Sequence, residues 1–194
     1  MTKKKSAVMV SIVCLSVLII SDVYAGRLLT KDMALKNIFG DGCTYETVSK
    51  TISIKVINTV KAKLGRFVFF DKRSESEAVA GAEKIDFIVA KKGGNVEGIA
   101  LIDVEPGKWG PVQFIIAFTP DGKVKRVEVM AYVEIRGRPI ARRSYMEQYE
   151  GKSVDSPIEI GNDITGITGA TVSSMSASFA VKKGLILFKE LYKR

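Results

Sequence analysis

Phe114-Ile115-Ile116-Ala117-Phe118-Thr119-Pro120-Asp121-Gly122-Lys123-Val124-Lys125-Arg126-Val127-Glu128-Val129 decides the fold. Two runs rich in β-branched and aromatic residues flank Thr-Pro-Asp-Gly, whose Pro and Gly are residues that tight turns demand, so the stretch reads as a β-hairpin. The second run alternates in face, with one side for the core and one for water. The same pattern extends upstream through Ile85–Ala90 and Val96–Val104 and downstream to Val133. Lys92-Gly93-Gly94-Asn95 and Pro106-Gly107-Lys108 supply the intervening turns. Short turns between neighbouring strands make an antiparallel sheet of about four or more strands.

Beyond the sheet, Ala177, Val181, Leu185, Phe188 and Tyr192 fall at three-to-four spacing, which predicts an amphipathic helix running towards residue 194. The fold class is therefore α+β. Directly ahead of that helix lies Asp163-Ile164-Thr165-Gly166-Ile167-Thr168-Gly169-Ala170-Thr171-Val172-Ser173-Ser174, with two glycines and five hydroxyl side chains. A helix N-terminus favours an anion, and Gly169 removes a side chain that would keep a phosphate away. The bland alternative is a helix cap, with Thr171 or Ser173 accepting one amide hydrogen bond.

The letters Ile-Thr-Gly-Ala-Thr-Val-Ser-Ser over 167–174 resemble the [Ser/Thr]-Gly-Ala-Thr signature of the FMN-binding domain family. That family includes the C subunit of sodium-pumping NADH:quinone reductase and the G subunit of the Rnf complex. In it the final Thr carries FMN through a phosphoester, installed by a flavin transferase that uses FAD and magnesium. The resemblance implies that Thr171 is the attachment residue, with Thr168, Gly169, Ala170, Ser173 and Ser174 around the cofactor. It also implies electron transfer between redox partners, in a membrane electron-transfer complex or alone.

Two further stretches resemble the family, and two depart from it. The Asp-Gly-Lys hairpin, with Glu134 and Gly137 after it, matches a family pattern, as does Gln148-Tyr149-Glu150-Gly151-Lys152. Where the respiratory subunits read Glu-Thr-Pro-Gly-Leu-Gly, this chain reads Glu134-Ile135-Arg136-Gly137-Arg138-Pro139. Glu134 is either part of a cofactor pocket or a solvated strand end. The transferase target Asp-x-x-[Ser/Thr]-Gly-Ala-Thr would set an acid at position 165, where this chain has Thr165; Asp163 lies two residues earlier. Either the transferase accepts Thr165, or Asp163 serves instead, or the modification is lost while the fold is kept.

The N-terminal part reads differently. Lys3, Lys4 and Lys5, an apolar run from Ala7 to Ile20 and Val23-Tyr24-Ala25 have the plan of a secretory signal cleaved after Ala25. The run is shorter than the roughly 18 residues a spanning helix needs, which argues against an uncleaved anchor. Cys14 lies inside the run, which argues against a lipoprotein. This predicts a periplasmic or other extracytoplasmic location, membrane-associated through partners. Thr30 to Phe39 predicts a short helix capped by Thr30 and stopped by Gly40. From Thr44 to Leu64, Val48, Ile52, Val56, Val60 and Leu64 repeat every four residues, although Ile52, Ile54 and Val56 also alternate; the helix is preferred. Arg66 to Glu83 reads as a connector in which Phe67 and Phe69 pack on the domain. Ala141 to Tyr149 predicts a short helix with Tyr145, Met146 and Tyr149 on one face.

The expected organisation is a signal at 1–25, a helical N-terminal extension at 26–84 and the cofactor domain at 85–194. After the signal only Cys43 remains, so no internal disulfide is expected and oxidation joins two chains. With no histidine and one such Cys, neither haem, an iron–sulfur cluster nor a zinc site is expected. Any redox chemistry then needs an organic cofactor. The net charge of +9 is scattered among acids and forms no aromatic-interleaved stripe, so a surface near anionic lipid or an acidic partner is favoured over nucleic acid. No acid–base substrate site appears, which favours a carrier over a stand-alone enzyme. The competing readings are a non-redox module that binds free FMN or another phosphate ligand, and a structural subunit that has lost flavin.

Overall fold

The structure, a computed structural model, describes residues 26–66, 84–133 and 138–193. The expectations for the signal segment 1–25, for Phe67, Phe69 and the connector to Glu83, and for Glu134 and Gly137 lie outside the described residues.

Five strands form one antiparallel meander: β1 (Thr44–Thr51), β2 (Lys84–Lys92), β3 (Asn95–Pro106), β4 (Pro111–Phe118) and β5 (Val124–Tyr132), ordered β1-β2-β3-β4-β5. The central hairpin is where the sequence sets it, with Asp103 opposite Phe114 across β3–β4 and Ile116 opposite Val127 across β4–β5. Phe114 to Phe118 are all fully buried because the sheet is covered on both faces. One face carries Ile88, Ala90, Ala100, Ile115, Ala117 and Met130, which pack on α1 (Lys31–Phe39) through Ala34, Leu35, Ile38 and Phe39. Thr30 caps α1 by accepting from Met33 N–H at 3.2 Å, and Gly40 ends it, as the sequence predicts. Cys43 is half-buried, its Sγ near the Phe39 carbonyl.

The opposite face carries Phe87, Leu101, Phe114, Ile116, Phe118 and Val127 beneath α4 (Thr171–Leu187). Gly184 permits the approach: a Cβ there would stand 3.2 Å from the Phe118 ring. A turn of π-helix, Phe188–Tyr192, continues α4 and stacks Phe188 on Phe118 with centroids 5.0 Å apart. The one-sided stripe read from the sequence understates this helix. Ser173, Ser174, Ser176, Ala177, Ser178 and the run Lys183–Phe188 are all buried, so α4 is enclosed over most of its circumference. Among the described residues no helix is long and apolar enough to cross a membrane.

Two expectations are corrected. Residues 44–64 are not one helix: Thr44–Thr51 is the edge strand β1, paired with β2 from Thr44 opposite Lys91 to Thr51 opposite Lys84. The helix, α2 (Ile54–Leu64), starts only after Ser53, whose hydroxyl accepts from Val56 N–H at 3.4 Å. The four-residue repeat merged two elements, because Val48 is a strand residue and Ile52 is buried at the strand-to-helix junction. Thr44, Thr47, Val48 and Thr51 are β-branched, and their sheet preference prevails. The helix expected over 141–149 is likewise shortened: Arg142 is extended at φ −71°, ψ 137°, so α3 (Arg143–Met146) starts only after it, and a 3-10 turn (Glu147–Tyr149) follows. Tyr145, Met146 and Tyr149 are nonetheless buried together.

Candidate functional site

The segment before α4 is held from both sides by its own side chains. Asp163 accepts Glu159 N–H at 2.8 Å and pairs with Lys152 Nζ at 2.7 Å. Burial works to raise the Asp163 carboxyl, but Lys152 and the amides of Glu159 and Ile158 hold it below its ordinary range. Gln148 clamps position 165: its Oε1 accepts Thr165 N–H at 2.8 Å, and its Nε2 donates to the Thr165 carbonyl at 3.4 Å and the Tyr145 carbonyl at 3.0 Å. Gln148-Tyr149-Glu150-Gly151-Lys152 is therefore the brace of the loop, through its first and last residues.

Closer to the helix the chain turns tightly. Ala170 N–H donates to the Ile167 carbonyl at 2.9 Å, which leaves Thr168 and Gly169 exposed at the tip. Gly169 has φ +79°, a conformation that other residues adopt at a cost of about 1–2 kcal/mol, and nothing lies within 4 Å of where a Cβ would stand. Ser174 is fully buried and accepts Ile167 N–H at 3.2 Å, so its hydroxyl fastens the turn to the first coil of the helix. Ser173 is buried as well. Ala170 at the N-cap offers no side-chain hydrogen bond to α4, so the cap that Ser/Thr clusters usually supply is missing. Thr171, the first residue of the helix, is exposed.

From Thr171 a cleft of about 600 Å³ opens along α4. That size suits a small cofactor. Thr171, Met175, Ser178, Phe179 and Lys182 line one wall, at helical spacing on one face. Lys63 and Leu64 of α2 and Ile158, Glu159 and Ile160 form the rest. Ile158, a β-branched residue, takes φ 51° there, an uncommon strained conformation. Behind Ser178, its Oγ stands 3.0 Å from Tyr149 Oη, which stands 3.3 Å from Tyr145 Oη. Burial above all pushes the Tyr149 phenol far up, so the hydroxyl keeps its proton in this chain. The Arg66 guanidinium lies over the Phe179 ring at 4.0 Å.

The structure thus brings Thr168, Gly169 and Thr171 to one exposed corner and turns Ala170, Ser173 and Ser174 inward. Glu134 lies outside the described residues. Sequence reasoning passed over Met175, Ser178, Phe179 and Lys182, although their spacing from Thr171 was the available signal. Lys63 and Leu64 carried none, since only the packing of α2 beside α4 brings them there.

Residues 107–186 match the FMN-binding domain family. Over 109 residues the chain is 26% identical to the G subunit of the proton-translocating ferredoxin:NAD(+) oxidoreductase complex of Clostridium ljungdahlii, covering 53% of this chain. The chain spans 59% of the length of that relative. The crystal structure of Shewanella oneidensis NqrC is similar with a TM-score of 0.49 at 14% identity, over 83% of this chain and 87% of that one.

Proposed function

We infer that the FMN-binding domain carried by this chain makes it an electron-carrying flavoprotein, with FMN held through a phosphoester to Thr171. The observation that carries the reading is the position of Thr171: exposed, at a helix start with no side-chain cap, two residues from the open corner at Gly169, and on the wall of the cleft of about 600 Å³. These residues fit the cofactor. Thr171, Gly169 and the first-turn amides would hold the phosphate, where the helix dipole favours its charge. Leu64, Met175, Ser178 and Phe179, with Lys63 and Lys182 at the side, line the space for the ring system. When bound, FMN supplies one- and two-electron redox chemistry.

The chain's own contribution is placement. Lys152–Asp163, the Gln148 clamp and Ser174 keep Thr171 at a fixed point on the helix start. Attachment forms one bond, from Thr171 Oγ1 to phosphorus, as the flavin transferase cleaves FAD; AMP leaves and the hydroxyl proton is lost to a base of the transferase. Thr165 stands where that enzyme's usual target has Asp, and its backbone is held by Gln148 as a structural residue's would be. Asp163 is committed to Lys152 and the loop backbone, which favours tolerance of Thr165 over substitution by Asp163.

The domain works outside the cytoplasm after cleavage at Ala25, where a tether prevents cofactor loss. Its redox partner belongs to a membrane electron-transfer complex, in keeping with the relative's description as part of an oxidoreductase complex. Co-expression with a flavin transferase in an exporting host should give yellow protein whose colour stays with the polypeptide through denaturation and gel filtration. Colour that washes out would point to free FMN in a binding module, and colourless protein to a flavin-free subunit.

A further inference from the structure

Beneath the cleft wall lies a charged cluster that the flavin site leaves unused. The row of β3 that faces α4 runs Ile99, Leu101, Asp103, Glu105, turning from apolar to acidic as it reaches Pro106. Lys183 of α4 meets both acids: its Nζ is 2.9 Å from Asp103 Oδ1 and hydrogen-bonds Glu105 Oε1. All three side chains are at least 98% buried. Two carboxylates against one ammonium would leave a net negative charge in a low-dielectric interior, which is unfavourable. One proton on the pair removes that charge. The second oxygens, Asp103 Oδ2 and Glu105 Oε2, have no hydrogen-bond partner among the described residues, so the cluster has room for that proton.

The cluster is next to the cleft. Lys183 Nζ lies 5.5 Å from the centroid of Phe179, the ring that lines the cleft and carries Arg66 on it. Among the described residues, Arg66 after α2 acts on Glu105, β4 presents Phe114 and Val112 opposite the two acids, and Ser176 of α4 donates to the Pro106 carbonyl. Lys63, Lys182 and Glu159 stand in the cleft itself.

We propose that Lys183, Asp103 and Glu105 form a buried proton-holding site behind the cleft wall, which binds its proton more tightly when negative charge enters the cleft. In the step, a proton from solvent forms one O–H bond at a carboxylate oxygen, and nothing else is broken. The charge that drives it comes from electrons delivered into the cleft by the reduced redox partner. This last point rests on the flavin reading; the proton site itself does not. The same protonation neutralises the cluster that would otherwise oppose an anion in the cleft, through the low-dielectric interior between them.

The test follows carboxyl ¹³C shifts against pH, first in the flavin-free Thr171→Ala chain. Burial first, with Asp103 adding to it against the pull of Lys183, pushes the Glu105 carboxyl up to about 8, so a carboxyl titrating near there is expected. It should vanish in Glu105→Gln and move down in Asp103→Asn, which removes the neighbouring acid. No carboxyl titrating between about pH 6 and about pH 10 would overturn the site, since exposed acids titrate near 4. Met175→Glu then adds a charge to the cleft at an exposed position without any flavin. It should raise the midpoint by roughly half a unit; an unmoved midpoint overturns the coupling. If Met175→Glu shifts it while reduction of flavin-loaded protein does not, the flavin assignment fails and the proton site stands.

Discussion

The two ends of α4 do opposite kinds of work. At its start, Thr168, Gly169 and Thr171 are exposed, the buried Ala170 supplies no side-chain cap, and open space lies beside Gly169. Between about one and three turns further on, Ser176, Ala180 and Lys183 are sealed against β3 and the rest of the sheet. The first end is open to solvent and, on the proposed reading, presents the attachment residue; the second holds an ionised group that must stay paired. Stability and cofactor attachment should therefore separate along one helix, and mutations along it can break or sharpen that contrast.

The largest expected loss of stability is at Lys183. Lys183→Met leaves two buried carboxyl groups without their cation and should cost about 3–5 kcal/mol in urea unfolding; a loss comparable to that of a surface change would break the contrast. Ser174→Ala lies between the ends. It leaves Ile167 N–H without its partner and should cost about 1–3 kcal/mol while loosening the turn and slowing flavin attachment.

A pH profile sharpens the contrast further. Glu105 is raised in the folded chain from an ordinary 4.5 to about 8, so the folded state binds a proton the unfolded state lacks. Its contribution is complete below about 4.5 and is lost as pH rises through about 8. Thermal unfolding of the parent should therefore worsen from about pH 5 to about pH 8, and level off above, relative to Glu105→Gln. Parallel profiles would contradict a protonated cluster.

The smallest stability effect is expected at the exposed end. Thr165→Asp restores an acid to an exposed position and should change stability by less than about 0.5 kcal/mol. Its flavin occupancy, read by absorbance, should equal or exceed that of the parent. A decrease would show that the loop, and not the missing acid, sets the pace of attachment.

The exposed end was legible in the sequence because its signals are local. Pro120-Asp121-Gly122 fixes the hairpin, Gly169 the turn and Thr30 a helix start within a few residues of the structure each one makes. The edge strand Thr44–Thr51 was not, because its exposed sides show no clean alternation and the repeat of Val48, Ile52, Val56 and Val60 runs across a strand, a junction and a helix. The proton cluster was half legible. Asp103 and Glu105 share the parity of Ile99 and Leu101, and acids on a core-facing row are a warning that they are buried. Nothing along the chain says that Lys183 is the cation they meet, since only the packing of α4 on β3 brings them together.

The most direct test of the central claim is the intact mass of the denatured chain after co-expression with a flavin transferase in an exporting host, set beside Thr171→Ala. An added mass of one FMN less one water in the parent, absent from a variant that folds with parental stability, is the predicted result. An unmodified parent, or a Thr171→Ala chain that still carries the added mass, would contradict the assignment of Thr171 as the tether.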